Sequence, residues 1–151
     1  MLFRSMEDFC QLSGRLTQDK YRGSYERCAE IIRKHSVRFG FDLSEFFFRL
    51  VVCFVTGNSD MHLKKFSLVE KTPGQRDFVL SPAYDLLPVN IIMPEDPEET
   101  ALTLNGKKSN LRRKDFLALA VEHENLFYMF CRNLDLPYRQ NQIRRNRLLN
   151  G

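Results

Sequence analysis

Apolar residues recur at helical spacing through most of this chain, and only a short central stretch reads as strands. Ser5 with Asp8 three residues on resembles a capping box, and Met6, Phe9, Cys10 and Leu16 then predict a first helix. Thr17 to Gly23 is polar and predicts a loop, after which Ser24 can cap a second helix. Tyr25, Cys28, Ile31, Ile32 and His35 line one side of that helix, with Glu26, Arg27, Glu30, Arg33 and Lys34 facing water. Gly40 should stop it, and Asp42 with Glu45 offers a second capping box. The helix from Leu43 to about Val55 is apolar on nearly every side, which predicts central burial.

Beyond that helix the pattern changes. Phe66 to Val69 and Arg76 to Leu80 predict two strands, joined at Thr72-Pro73-Gly74-Gln75, whose central Pro-Gly suits a type II turn. Pro88 to Pro97 holds three prolines and two acids and predicts a loop. Ala101 to Leu104 predicts a short strand with a turn at Asn105-Gly106. Helices follow over about Lys114 to Glu122, Asn125 to Asn133 and Pro137 to Leu149, with Pro137 at a first helical position. The expected fold is therefore mainly α with a small β-hairpin, and residues 1–151 form one domain.

Composition adds little to that picture and charge adds one feature. The 43% hydrophobic and 28% charged content, with thirteen Phe, suits a soluble globular domain with one core. The longest apolar run, Phe46 to Val55, is interrupted by Arg49 and is far short of the ~20 residues a bilayer span needs. Arg4, Glu7 and Asp8 interrupt the start, so no signal peptide is read there, and a cytoplasmic location is expected. Cys10, Cys28, Cys53 and Cys131 are scattered without metal spacing and read as reduced core residues. Arg132, Arg139, Arg144, Arg145 and Arg147 against only Asp135 place the whole net charge of +4 in the last twenty residues. Such a tail can meet nucleic acid, an acidic partner or only solvent.

The candidate chemistry lies in Thr56-Gly57-Asn58-Ser59-Asp60-Met61-His62-Leu63-Lys64-Lys65-Phe66 and Ser81-Pro82-Ala83-Tyr84-Asp85-Leu86-Leu87. One carboxylate follows an apolar helix, a basic cluster follows it, and a turn-punctuated strand pair leads to a second carboxylate. Protein kinases use that order. On residue type alone, Asp60 and Asp85 could be turn or cap residues, His62 a structural loop histidine and Tyr84 a partly buried aromatic. The assembled order changes that reading. It resembles the C-terminal lobe of HipA-like serine/threonine kinases, the toxins of bacterial toxin–antitoxin pairs. Their catalytic loop reads roughly G-x-x-D-x-H-x-K-N-F and their metal Asp lies in P-x-Y-D.

That resemblance implies a protein-kinase-like C-terminal lobe of the HipA type, with Asp60 as the catalytic residue that accepts or orients the substrate hydroxyl proton. It implies ATP binding at His62, Leu63, Lys64, Lys65, Tyr84 and Asp85, with Lys64 reaching a phosphate oxygen. It implies magnesium at Asp85 and at the position of Lys65, where the family has Asn. This departure matters because an ammonium has no lone pair to offer a cation. No G-x-G loop and no isolated phosphate-binding Lys precede Asp60, so the family's N-lobe is expected to be missing or to sit on a separate chain. The chain alone is then expected to be inactive, a truncated gene product or one part of a split kinase. Implied partners are a HipB-like DNA-binding antitoxin and a protein substrate such as an aminoacyl-tRNA synthetase. A bare lobe interface near Met1 to Phe9 and Tyr84 would be apolar and promote self-association. The alternative is a non-catalytic pseudokinase remnant that binds protein, or nucleic acid through the Arg-rich tail.

Overall fold

The computed structural model describes residues 5–86 and 98–122. The expected loop over Pro88 to Pro97, the last two helices, Cys131 and the basic tail lie outside the described residues. The elements run β1 (Met6–Asp8), α1 (Phe9–Leu12), α2 (Tyr25–His35), α3 (Phe39–Thr56), β2 (Ser67–Glu70), β3 (Phe78–Leu80) and α4 (Arg113–Glu122). Helices thus dominate, as expected, around one small antiparallel sheet ordered β1-β2-β3.

The expected first helix begins as a strand and is helical only from Phe9 to Leu12. Met6 pairs with Val69, Glu7 with Leu68 and Asp8 with Ser67, so the hairpin of β2 and β3 becomes a three-stranded sheet. The capping box exists three residues later than expected. Asp8 is the cap, its Oδ1 accepting from the Gln11 amide at 2.8 Å while the Gln11 side chain accepts from the Asp8 N–H at 3.0 Å. Gln11 can return that bond to Asp8, and Ser5 to Asp8 are left to satisfy their backbone groups on β2. The box gives only the four-residue α1.

Helix α2 follows the sequence pattern closely. Ser24 is extended, and its Oγ accepts from the Arg27 N–H at 3.2 Å. Tyr25, Cys28, Ala29, Ile31 and Ile32 are buried, whereas His35, expected on the same side, is exposed in the last turn with Arg33 and Lys34, whose charges complement the helix dipole.

The region around Gly40 corrects the sequence reading. Gly40 lies inside α3, which begins at Phe39, and Asp42 is not a cap. Its carboxylate is fully buried and accepts from Ser36 Oγ and the Leu80 N–H, both at 2.7 Å, with Arg38 Nε 3.0 Å away. Long-range demand from β3 outweighed the local box, and Glu45 pairs instead with Arg49. Helix α3 buries Leu43, Phe46, Phe47, Leu50, Cys53 and Phe54, yet Phe41 and Phe48 are exposed. It is thus buried on one broad face rather than on every side. Arg49, which interrupts the apolar run, is itself buried and donates to the Ser81 carbonyl at 2.6 Å.

Phe66 sits at the centre of the core. Its ring lies 5.0 Å from Phe46, 5.7 Å from Phe9 and 6.4 Å from Tyr25. The Pro-Gly turn forms as expected, with Gly74 at φ 81° and the Gln75 N–H donating to the Thr72 carbonyl. Ala101 to Leu104 makes single bridges, Ser24 with Thr103 and Leu104 with Lys107, instead of a full strand. The reciprocal Leu104–Lys107 bonds close the expected Asn105-Gly106 turn, both residues at positive φ.

Asp115 of α4 organises that turn. Its buried carboxylate accepts from Asn105 Nδ2, Lys107 Nζ and the Arg112 N–H. Burial alone would raise its pKa, but those hydrogen bonds and the Lys107 charge hold it down to about 2. The folded value lies below the ordinary one, so its stabilisation is present near neutrality and lost on acidification. The melting temperature of the wild type should therefore fall between about pH 4 and about pH 2 more steeply than that of Asp115→Asn. Parallel slopes for the two proteins would contradict this assignment.

Candidate active site

Helix α3 ends where the site begins. Gly57 adopts the left-handed conformation at φ 76°, and its N–H and that of Asn58 return to the Phe54 and Cys53 carbonyls. Asn58 is buried, and its Oδ1 accepts from the Asp60 N–H at 3.2 Å. That local turn sets the backbone of Asp60 just beyond the end of α3. The Asp60 carbonyl accepts from the His62 N–H at 2.9 Å, and the His62 carbonyl from the Lys65 N–H at 2.9 Å. His62 Nδ1 also accepts from the Lys64 N–H at 3.2 Å, capping a 3-10 turn over Leu63–Lys65. Burial lowers the His62 pKa more than the nearby Asp60 raises it, which suits an imidazole nitrogen that must stay unprotonated to accept.

The structure brings some expected residues together and separates others. Asp60 and Asp85, twenty-five residues apart, converge on the Lys65 ammonium. Lys65 Nζ lies 3.6 Å from Asp60 Oδ2 and makes a direct ion pair with Asp85 Oδ2. Its side chain is only 15% exposed, whereas the two carboxylates are 37% and 43% exposed. Lys64 points elsewhere, to Asp8 Oδ2 at 2.8 Å, and that bond raises the Lys64 pKa. Leu63 is buried in the core. The Tyr84 hydroxyl donates to the Lys64 carbonyl at 2.9 Å and lies 2.7 Å from Ser67 Oγ, so it ties the segment carrying Asp85 to the loop carrying Asp60. Phe9 is buried, which corrects its place in the expected bare interface; Met6 and Leu86 are exposed there.

Sequence reading missed three participants. The Tyr21 hydroxyl donates to Asp60 Oδ1 at 3.0 Å, and its ring meets His62 edge-on at 5.0 Å. Burial, then the bond to Asp60, raises the Tyr21 pKa, so the phenol remains a donor. Asp8 and Ser67 are the others, and both reach the site through strand pairing. None of the three carries a local signal, whereas Asn58, two residues before Asp60, carries that of an Asx turn.

The fit of a divalent cation can be judged from the donors. Asp60 and Asp85 supply hard oxygens, but the group between them is an ammonium without a lone pair. Among the described residues no group of three or more His, Cys, Asp and Glu side chains could hold a metal ion. With Lys65 in this position the site does not fit magnesium.

Helix α3 thus ends at an Asp-bearing loop, and a hairpin returns the chain to a second Asp beside that loop. Residues 3–145 match the HipA-like C-terminal domain family, and the chain belongs to that family. It is 35% identical over 121 residues to a Sinorhizobium fredii protein named "Putative kinase Y4dM", covering 79% of this chain and 29% of that protein. A second protein of that species, "Putative kinase Y4mE", is 30% identical over 113 residues, covering 72% and 26%. The fold is similar to a chain in the Shewanella oneidensis MR-1 HipA, HipB and operator DNA complex, with a TM-score of 0.70 at 16% identity. That match covers 81% of this chain and 32% of the other. The chain thus spans less than a third of the length of each. No described helix is long and apolar enough to cross a membrane.

Proposed function

We propose that this chain is the C-terminal catalytic lobe of a HipA-like serine/threonine kinase, and that the 151 residues alone transfer no phosphate. The reading rests on one observation above others: Asp60 and Asp85 meet at the end of α3 although a whole hairpin separates them. In phosphoryl transfer from ATP to a protein hydroxyl, Asp60 orients the attacking hydroxyl, at the oxygen where Tyr21 donates here. His62, Leu63, Lys64, Lys65, Tyr84 and Asp85 mark the nucleotide side. Rate in such enzymes comes from positioning the phosphates from both lobes, and these residues include no G-x-G loop to cover them. The rest of the catalytic unit then comes from an N-lobe, in the same polypeptide or on another chain. A HipB-like antitoxin is the proposed partner, because the structural neighbour was solved with HipB and operator DNA. A protein such as an aminoacyl-tRNA synthetase is the proposed substrate.

The Lys65 bridge favours a second reading, a pseudokinase lobe that binds protein without chemistry. One experiment separates the two. The chain is assayed alone with labelled ATP, magnesium and a generic protein acceptor. It is assayed again fused behind the preceding residues of Y4dM, both with its native Lys65 and as the Lys65→Asn variant. No transfer by the chain alone, with transfer by the Lys65→Asn fusion that Asp60→Ala abolishes, is the expected result. Transfer by the chain alone, lost in Asp60→Ala, would overturn the claim of inactivity. A silent fusion that still binds its partners would establish the pseudokinase reading.

A further inference from the structure

We propose that Lys65 is the resident cation of this site: its ammonium holds Asp60 and Asp85 together without a divalent ion and keeps such an ion out. The inference rests on the kinase-type reading of the site, but it concerns the cation rather than the transfer.

Three observations carry it. First, Lys65 is the most enclosed of the three charged groups, so its ammonium lies between the carboxylates instead of reaching past them into water. Long lysine side chains usually keep their heads in solvent, and this one does not. Second, both ends of the bridge are anchored independently. The Lys65 backbone is fixed by its bond to the His62 carbonyl, and the Asp85 segment by the Tyr84 hydroxyl on Lys64 and Ser67. The ammonium spans a gap whose width the fold has already set. Third, Asp85 sits at φ 56°, a left-handed conformation that aspartate tolerates better than most residues other than glycine, and it presents its carboxylate to Lys65 from there.

The charges explain why a metal would lose. Two carboxylates and one ammonium leave a single negative charge, so most of the attraction for a free cation is already neutralised. The ammonium is tethered, so its effective concentration at the carboxylates exceeds that of millimolar metal in solution. Magnesium would also have to shed water to enter and would gain no third protein oxygen. Lys65 thus replaces a removable ion with a permanent one, and the loop and the Asp85 segment stay closed whether or not nucleotide brings metal.

The test uses the full chain and manganese, whose free form is read directly by electron paramagnetic resonance. Wild type should bind no stoichiometric manganese at concentrations up to about 1 mM, and its melting temperature should respond to manganese no more than that of Asp85→Asn. Lys65→Asn should bind at least about tenfold more tightly, a gain removed by adding Asp85→Asn. Lys65→Met should melt lower than wild type in metal-free buffer and recover when manganese is added. One equivalent of manganese on wild type, lost in Asp85→Asn, would overturn the proposal while leaving the kinase reading intact. A Lys65→Met protein that melts like wild type in metal-free buffer would overturn it as well. If the Met variant does not fold, the wild-type titration still decides, because it needs no variant to show whether metal enters.

Discussion

Replacing Asp42 with alanine should destabilise the chain by about 3 kcal/mol or more, a large share of the stability of a domain this size. The side chain is fully buried and serves three elements at once. Its Oδ2 receives the Leu80 N–H of β3 and the Ser36 hydroxyl at the end of α2, and its Oδ1 faces the Arg38 guanidinium. Alanine leaves those donors in the interior or at its edge with nothing to donate to. The cost is then set by stranded donors more than by the lost attraction, and the partly exposed Arg38 limits it by turning to water. Asp42→Asn keeps an acceptor for the Leu80 N–H and should cost clearly less. Urea unfolding of the three proteins measures both differences. An alanine variant within about 1 kcal/mol of wild type would show that Asp42 is not the joint between α3 and β3.

The case of Asp42 also shows what the sequence could and could not convey. Elements set by local rules were legible: the Ser24 cap, the end of α3 close to Val55, the Pro-Gly turn and the start of α4 all depend on residues within a few positions. Asp60 and Asp85 were legible for a different reason, the order of motifs along the chain. What failed was every choice between a local and a distant partner. Ser5 to Asp8 carried a plausible capping box and instead paired with β2, sixty residues away. Asp42 did the same with Leu80. Tyr21 reaches Asp60 across thirty-nine residues and Asp8 reaches Lys64 across fifty-six, and no spacing rule spans such distances. Arg49 read as an interruption of an apolar helix, yet it is the buried strut from α3 to Ser81, four residues before Asp85. The candidate site was therefore legible in its two carboxylates and not in the side chains that contact them.

Phe66→Ala should be at least as damaging, costing about 3–5 kcal/mol and loosening the Asp60 loop with the core. Phe66 follows Lys65 directly and is completely buried, so the loop has no slack between its charged residues and its anchor. Its ring meets those of Phe9, Tyr25 and Phe46, which come from α1, α2 and α3, and each such aromatic pair adds about 0.5–1.5 kcal/mol beyond burial. Its carbonyl accepts the Phe9 N–H, which starts α1 where β1 ends. Alanine would leave a cavity bordered by three rings from three helices. Those rings are held by their own packing and can collapse only partly into the gap. Phe66→Leu keeps most of the volume and should cost about 1.5 kcal/mol or less. The loop supplies the sharper readout. The His62, Lys64 and Lys65 amides all donate within the 60–65 turn, and hydrogen exchange at these three should accelerate in Phe66→Ala before the amides of α2 do. If they exchange at wild-type rates while global stability falls, the loop takes its shape from the Lys65 bridge and the Asn58 turn rather than from the ring behind it.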